Sequence, residues 1–218
     1  MVHFFIGIMV FGAGSSVALG LYWFGSPKYY EVGHAPEQPI PFSHKKHVGE
    51  MGMDCRFCHS NVEHSHEANI PPGQTCMNCH RQVKTDSLKL APLRDLFTNP
   101  TDAAEPLKEK ENANLKWKKV HDLPDYAYFD HSAHLNAGVG CKSCHGRIDQ
   151  MEVVRQEKEL SMAWCLDCHR DPAKHIRPDH VSVTDMHWEA GSLDKKESQS
   201  LMLKRNIKPP QDCASCHR

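Results

Sequence analysis

A chain of 218 residues with only 39% hydrophobic residues carries too little apolar side chain for one ordinary core, because soluble domains draw nearly half their residues from the apolar set. Outside the first 26 residues and the ten cysteines that share falls to about 30%, so disulfides, metals or a large apolar cofactor must supply what the side chains do not. With 26 basic against 27 acidic residues and a formal charge of −1, no basic face dominates, which excludes a nucleic-acid binder.

In chain order, the first element is an uncharged apolar run. Phe4 to Phe24 would make a helix about 31 Å long, the thickness of a bilayer's hydrocarbon layer. Tyr22, Trp23 and Phe24 close it with the aromatic cluster expected at a membrane interface. A cleaved signal peptide ending near Ala18-Leu19-Gly20 is the alternative, but the basic leader region of such peptides is missing. A retained transmembrane anchor over 1–26 is therefore predicted. Gly12, Ser16 and Gly20 recur every four residues along one side of it, a stripe suited to close helix contact.

Residues 27–41, with His34-Ala35-Pro36-Glu37-Gln38-Pro39-Ile40-Pro41, read as an extended connector stiffened by proline. A module over 42–98 opens with Phe42-Ser43-His44-Lys45-Lys46-His47 and carries Cys55-Arg56-Phe57-Cys58-His59 and Cys76-Met77-Asn78-Cys79-His80. Residues 99–125 are charged and proline-bearing, as expected of a surface linker. The pattern then repeats over 126–170: Phe129-Asp130-His131-Ser132-Ala133-His134 precedes Cys141-Lys142-Ser143-Cys144-His145 and Cys165-Leu166-Asp167-Cys168-His169. The segment 171–218 is polar, with one short helix expected over Leu193–Arg205, and ends on Cys213-Ala214-Ser215-Cys216-His217.

All ten cysteines thus fall into five pairs of one spacing, each followed by histidine. This is the attachment pattern of c-type haem. Two thiols bond the porphyrin's vinyl groups, which holds the adjacent histidine under the iron as its proximal ligand. Zinc ribbons would need no histidine after each pair and would leave the fifth pair alone. Disulfides across such short gaps would constrain almost nothing. The reading is five covalently bound haem c groups on Cys55/Cys58, Cys76/Cys79, Cys141/Cys144, Cys165/Cys168 and Cys213/Cys216, with His59, His80, His145, His169 and His217 as proximal ligands. Because such attachment happens outside the cytoplasm, residues 27–218 are predicted to be extracytoplasmic.

Twelve histidines remain, and low-spin haems need a second axial ligand. The pairs His44/His47 and His131/His134 recur at the head of each module and are expected to fill four distal positions. His121 is the favoured fifth distal ligand, with Met151 and Met162 as alternatives; methionine there would raise that haem's potential. His64 and His66 sit in a polar stretch, and His175, His180 and His187 have no repeat counterpart, so these read as surface residues. Strand-like alternation is nearly absent. The predicted fold class is mostly irregular with short α-helices, a class III-like multihaem cytochrome c domain behind a single N-terminal transmembrane helix.

The runs Pro41-Phe42-Ser43-His44-Lys45-Lys46-His47-Val48-Gly49, Ile70-Pro71-Pro72, His121-Asp122-Leu123-Pro124-Asp125 and Trp164-Cys165-Leu166-Asp167-Cys168-His169 give the chain a further likeness. It resembles the membrane-anchored pentahaem cytochrome c subunit of the bacterial alternative complex III, and its two-haem modules resemble cytochromes c3 and c7. The resemblance implies a place on the periplasmic side of a quinol-oxidising complex in the inner membrane. It implies as partners polytopic quinol-binding membrane subunits, an iron–sulfur, molybdopterin-enzyme-like subunit, and a monohaem cytochrome c or oxidase. A non-catalytic electron relay is the expected function. A membrane-anchored quinol dehydrogenase would need an open haem at the membrane surface. A small-substrate haem reductase would need a five-coordinate iron, often with lysine as proximal ligand, whereas all five pentamers here end in histidine.

Overall fold

The computed structural model describes residues 1–26, 29–99, 101–102, 104–110 and 115–217; Pro27 and Lys28 of the connector and part of the charged linker lie outside them. Helix α1, Val2–Phe24, is apolar all round and buries no residue against the rest of the chain. It is long and apolar enough to cross a membrane. Within it the Ser16 hydroxyl donates to the Gly12 carbonyl at 2.9 Å, so that polar group is satisfied inside the helix.

Beyond α1 the elements are short. Four carry or adjoin the cysteine pairs as single turns or little more: α2 Cys55–Cys58, α3 Gly73–His80, α6 Lys142–His145 and α9 Cys213–Cys216. The remaining helices are α4 Ala91–Arg94, α5 His131–Ala137, α7 Met162–Arg170 with the fourth cysteine pair, and α8 Lys195–Lys204. The last realises the expected helix over Leu193–Arg205. Among the described residues there is no strand, only three isolated bridges. Helices this short need help at their ends. Asp54, Ser161, Asp194 and Asp212 each cap one by accepting a backbone N–H in its first turn.

The two modules open alike. Asp130 accepts the Ala133 N–H at 3.2 Å to start α5, and Ser43, at the same place in the first repeat, accepts the Lys46 N–H at 3.1 Å. Beyond Ser43 the chain winds into a π-helical turn, Lys45–Glu50, where the second module has α-helix. α5 ends at Gly138, whose φ of +96° closes the helix in the left-handed region.

The first module packs a small core of Ile40, Met77, Leu93 and Phe97. The linker contributes to it. Leu107, Leu115 and Trp117 lie against this cluster, and Thr98 N–H donates to the Lys108 carbonyl while Lys110 N–H donates to that of Leu96. The segment read as solvated surface is therefore in part a wall of the first module, because its few apolar side chains are the ones that turn inward.

The modules meet where the π-helical turn lies on a 3-10 turn, Ile148–Gln150. Lys45 N–H donates to the Met151 carbonyl at 3.0 Å. A Cβ at Gly49 would run into the Asp149 backbone oxygen, so only glycine allows this approach. The connector is fastened as well: Gln156, 3% exposed, donates from Nε2 to the Tyr30 carbonyl, and its backbone exchanges bonds with Gly33 and His34. At the far end, Tyr128 N–H donates to the Cys216 carbonyl at 2.7 Å, tying the last cysteine pair to the entrance of the second module.

Candidate haem sites

Each cysteine pair spans one helical turn or its edge, so both sulfurs of a pair emerge from one side. All ten thiols are free of disulfides. Burial pushes Cys144 up to about 12 and raises Cys58, Cys76, Cys165 and Cys168 as well. Among the described residues no three His, Cys, Asp or Glu side chains converge to cage an ion. A porphyrin brings four nitrogens of its own and asks the chain only for axial ligands. The first pairs of the two modules adjoin: the Cys55 thiol lies beside Cys141 and, with burial, raises it.

The pentamer histidines are held by their Nδ1 atoms. His59 contacts the Asn69 carbonyl at 2.6 Å, His80 that of Val83 at 3.1 Å, His169 that of Pro210 at 2.7 Å and His217 that of Tyr126 at 3.2 Å. A carbonyl accepts only, so in each contact Nδ1 carries the proton and Nε2 is left with its lone pair. This is the tautomer and orientation that a metal-ligating imidazole needs. Asn69 can aim its carbonyl in this way because it adopts φ +55°, a conformation asparagine tolerates. His145 is the exception. Its Nδ1 faces a side chain, His121 Nε2, at 3.3 Å.

The module-opening histidines are arranged twice in one way. Phe42 stands edge-on to His44 with ring centres 4.9 Å apart and stacks on His47 at 4.4 Å. Phe129 stands edge-on to His131 at 4.8 Å and stacks on His134 at 4.5 Å. One phenyl ring thus orients both imidazoles. His47 donates from Nδ1 to the Ser43 carbonyl at 2.8 Å, and His134 does the same to Asp130 at 2.7 Å. His131 finds its acceptor in the first module, the His66 carbonyl at 2.7 Å. His44 Nδ1 is buried without a hydrogen-bond partner, and burial with His59 and His47 nearby lowers its pKa to about 4, so the ring is neutral.

An iron held between two imidazole nitrogens at about 2 Å each sets the ring centres roughly 6 Å apart. Three pairs stand at that spacing. His47 and His80 are 6.2 Å apart, His131 and His145 6.3 Å with planes within 7° of parallel, and His134 and His169 6.0 Å. The residues present fit axial haem ligation.

The other candidates take different places. His121 lies beside His145, ring centres 4.4 Å apart. Met151 is 2% exposed in the contact between the modules, and Met162 is 65% exposed at the start of α7. His64, His66, His180 and His187 are exposed, as expected, whereas His175 is half-buried. Sequence reasoning missed the groups that orient the imidazoles, the carbonyls of His66, Asn69, Val83, Tyr126 and Pro210. Backbone acceptors leave no mark in residue identity, although a lone Asn or Pro at a turn hints at where the chain must bend.

Compared with known proteins, residues 40–103 and 127–218 match the family model described as cytochrome c7 and related cytochrome c. The chain belongs to that family. It is a multihaem cytochrome c of electron transport, with covalently bound haem c. This cytochrome is also similar to the menaquinone reductase, multihaem cytochrome c subunit, of Nitratidesulfovibrio vulgaris, with 34% identity over 170 residues that cover 77% of this chain and 67% of the relative.

Proposed function

We propose that the chain is a pentahaem electron relay of a quinol-linked respiratory complex, held to the inner membrane by α1 with its haem domain in the periplasm. The repeated ring spacing of 6.2, 6.3 and 6.0 Å carries the reading. The anchor is 1–26 and the connector 27–41. Two-haem modules occupy 42–98 and 126–170 on either side of a linker at 99–125, and 171–218 holds the fifth haem. Each haem supplies a one-electron iron couple when bound.

The chain's own residues bind and orient. The ten cysteines fix the porphyrin edges, and the five pentamer histidines present Nε2 from one face. In both modules the first histidine of the opening pair serves the first pentamer and the second serves the second. His131 therefore faces His145, and His134 faces His169. By the repeat, His44 faces His59 and His47 faces His80. The four irons of the two modules, ligated by side chains on both faces, leave no open position for a substrate, and the subunit passes electrons and catalyses nothing by itself. The resemblance to the alternative complex III subunit supports electrons arriving from quinol-binding membrane subunits and an iron–sulfur, molybdopterin-enzyme-like partner and leaving to a monohaem cytochrome or oxidase.

The name of the N. vulgaris relative favours a second reading in which electrons run the other way, into menaquinone. Intact mass of the denatured protein tests the cofactor count: it should exceed the polypeptide by five haems. A bare or zinc-bearing chain, or fewer than five haems, would overturn the pentahaem reading. Stopped-flow mixing of the purified complex with menaquinol or with reduced cytochrome c then separates the two directions.

A further inference from the structure

We propose that His121 is a positioning residue for the haem of Cys141/Cys144: its Nε2 accepts the Nδ1–H of His145 and so sets that haem's potential apart from the others. The inference rests on the ligand reading above. Four of the five pentamer histidines contact a backbone carbonyl through Nδ1, and only His145 meets a side chain there, His121 Nε2 at 3.3 Å. The two rings are close to perpendicular, 79° with centres 4.4 Å apart, an edge-to-face contact that brings the two nitrogens together.

On its other side His145 faces His131 across 6.3 Å with nearly parallel planes, the arrangement of two imidazoles sharing one iron. His121 thus stands behind a proximal ligand. As a fifth distal ligand it would have to give up this contact and present the same nitrogen to another iron.

The acceptor behind an axial histidine governs how much electron density the ring passes to the metal. An imidazole nitrogen is a stronger base than an amide carbonyl. His145 bonded to His121 is therefore the more electron-rich ligand, and its haem is the harder to reduce. Unlike the carbonyls, this acceptor can be removed by changing one side chain.

The experiment compares His121→Ala, His121→Gln and His131→Ala in the full-length haem-loaded protein, by electronic and EPR spectra and by redox titration. For His121→Ala the expectation is a spin state unchanged from wild type with one couple shifted upward. His121→Gln, whose amide oxygen reaches the same place, should return that couple toward the wild-type value, which a merely structural role would not produce. High-spin haem in His121→Ala would show that His121 is itself a ligand and overturn the proposal while leaving the other assignments intact. Five unshifted couples would overturn it too. A fully low-spin His131→Ala would overturn the pairing of His131 with His145, and the proposal with it.

Discussion

At the scale of single residues, Phe42 and Phe129 hold two histidines three apart in two different orientations, as the proposed ligation of two irons requires. Each phenyl meets the first imidazole with its edge and the second with its face, holding the two rings in different orientations. The repeat made both histidine pairs legible in the sequence, since a pair that recurs at one offset must have one role. The orienting carbonyls were not legible, because every residue has one. For the same reason His66, unremarkable as a side chain, proves to matter through its backbone oxygen. Replacing His47 or His134 by alanine should leave one haem five-coordinate, seen as a high-spin component of about one haem in five. Unchanged low-spin spectra in both variants would refute the assignment.

Among the elements, the contact between the π-helical turn Lys45–Glu50 and the 3-10 turn Ile148–Gln150 decides how the modules meet. Its Gly49 faces backbone, not a movable side chain. Gly49→Val should therefore force the turns apart and lower stability by about 1–3 kcal/mol. Thermal unfolding followed by circular dichroism would show a depressed midpoint, and a midpoint equal to wild type would mean the turns separate freely. The π-helical form of that turn was not foreseeable from composition. Neither was the inward packing of Leu107, Leu115 and Trp117. Three apolar side chains scattered among lysines and glutamates show no period that a sequence pattern could reveal, and only the open flank of the Met77–Phe97 cluster selects them.

For the molecule as a whole, a chain poor in aliphatic side chains reaches a defined shape by clamping short capped helices around sites meant for large flat cofactors. That much was legible, since five pentamers of one spacing and a thin apolar share demand it. If all five irons are closed by the chain, the dithionite-reduced native protein should bind carbon monoxide only slowly and in low yield. A rapid shift of one Soret component on adding the gas would reveal an open iron and move the subunit toward direct chemistry on a substrate.

The bond from Gln156 to the Tyr30 carbonyl has a consequence for how this subunit finds its partners. A cytochrome on a slack leash would swing and search a hemisphere above the membrane. Here the second module grips the leash shortly past the end of α1. Gln156 is buried and bonded to Tyr30, Lys158, Gly33 and His34, and such a residue does not let go cheaply. With α1 as the proposed membrane anchor, this grip would hold the haem domain like a post close to the bilayer, so that its donor and acceptor would have to come to it.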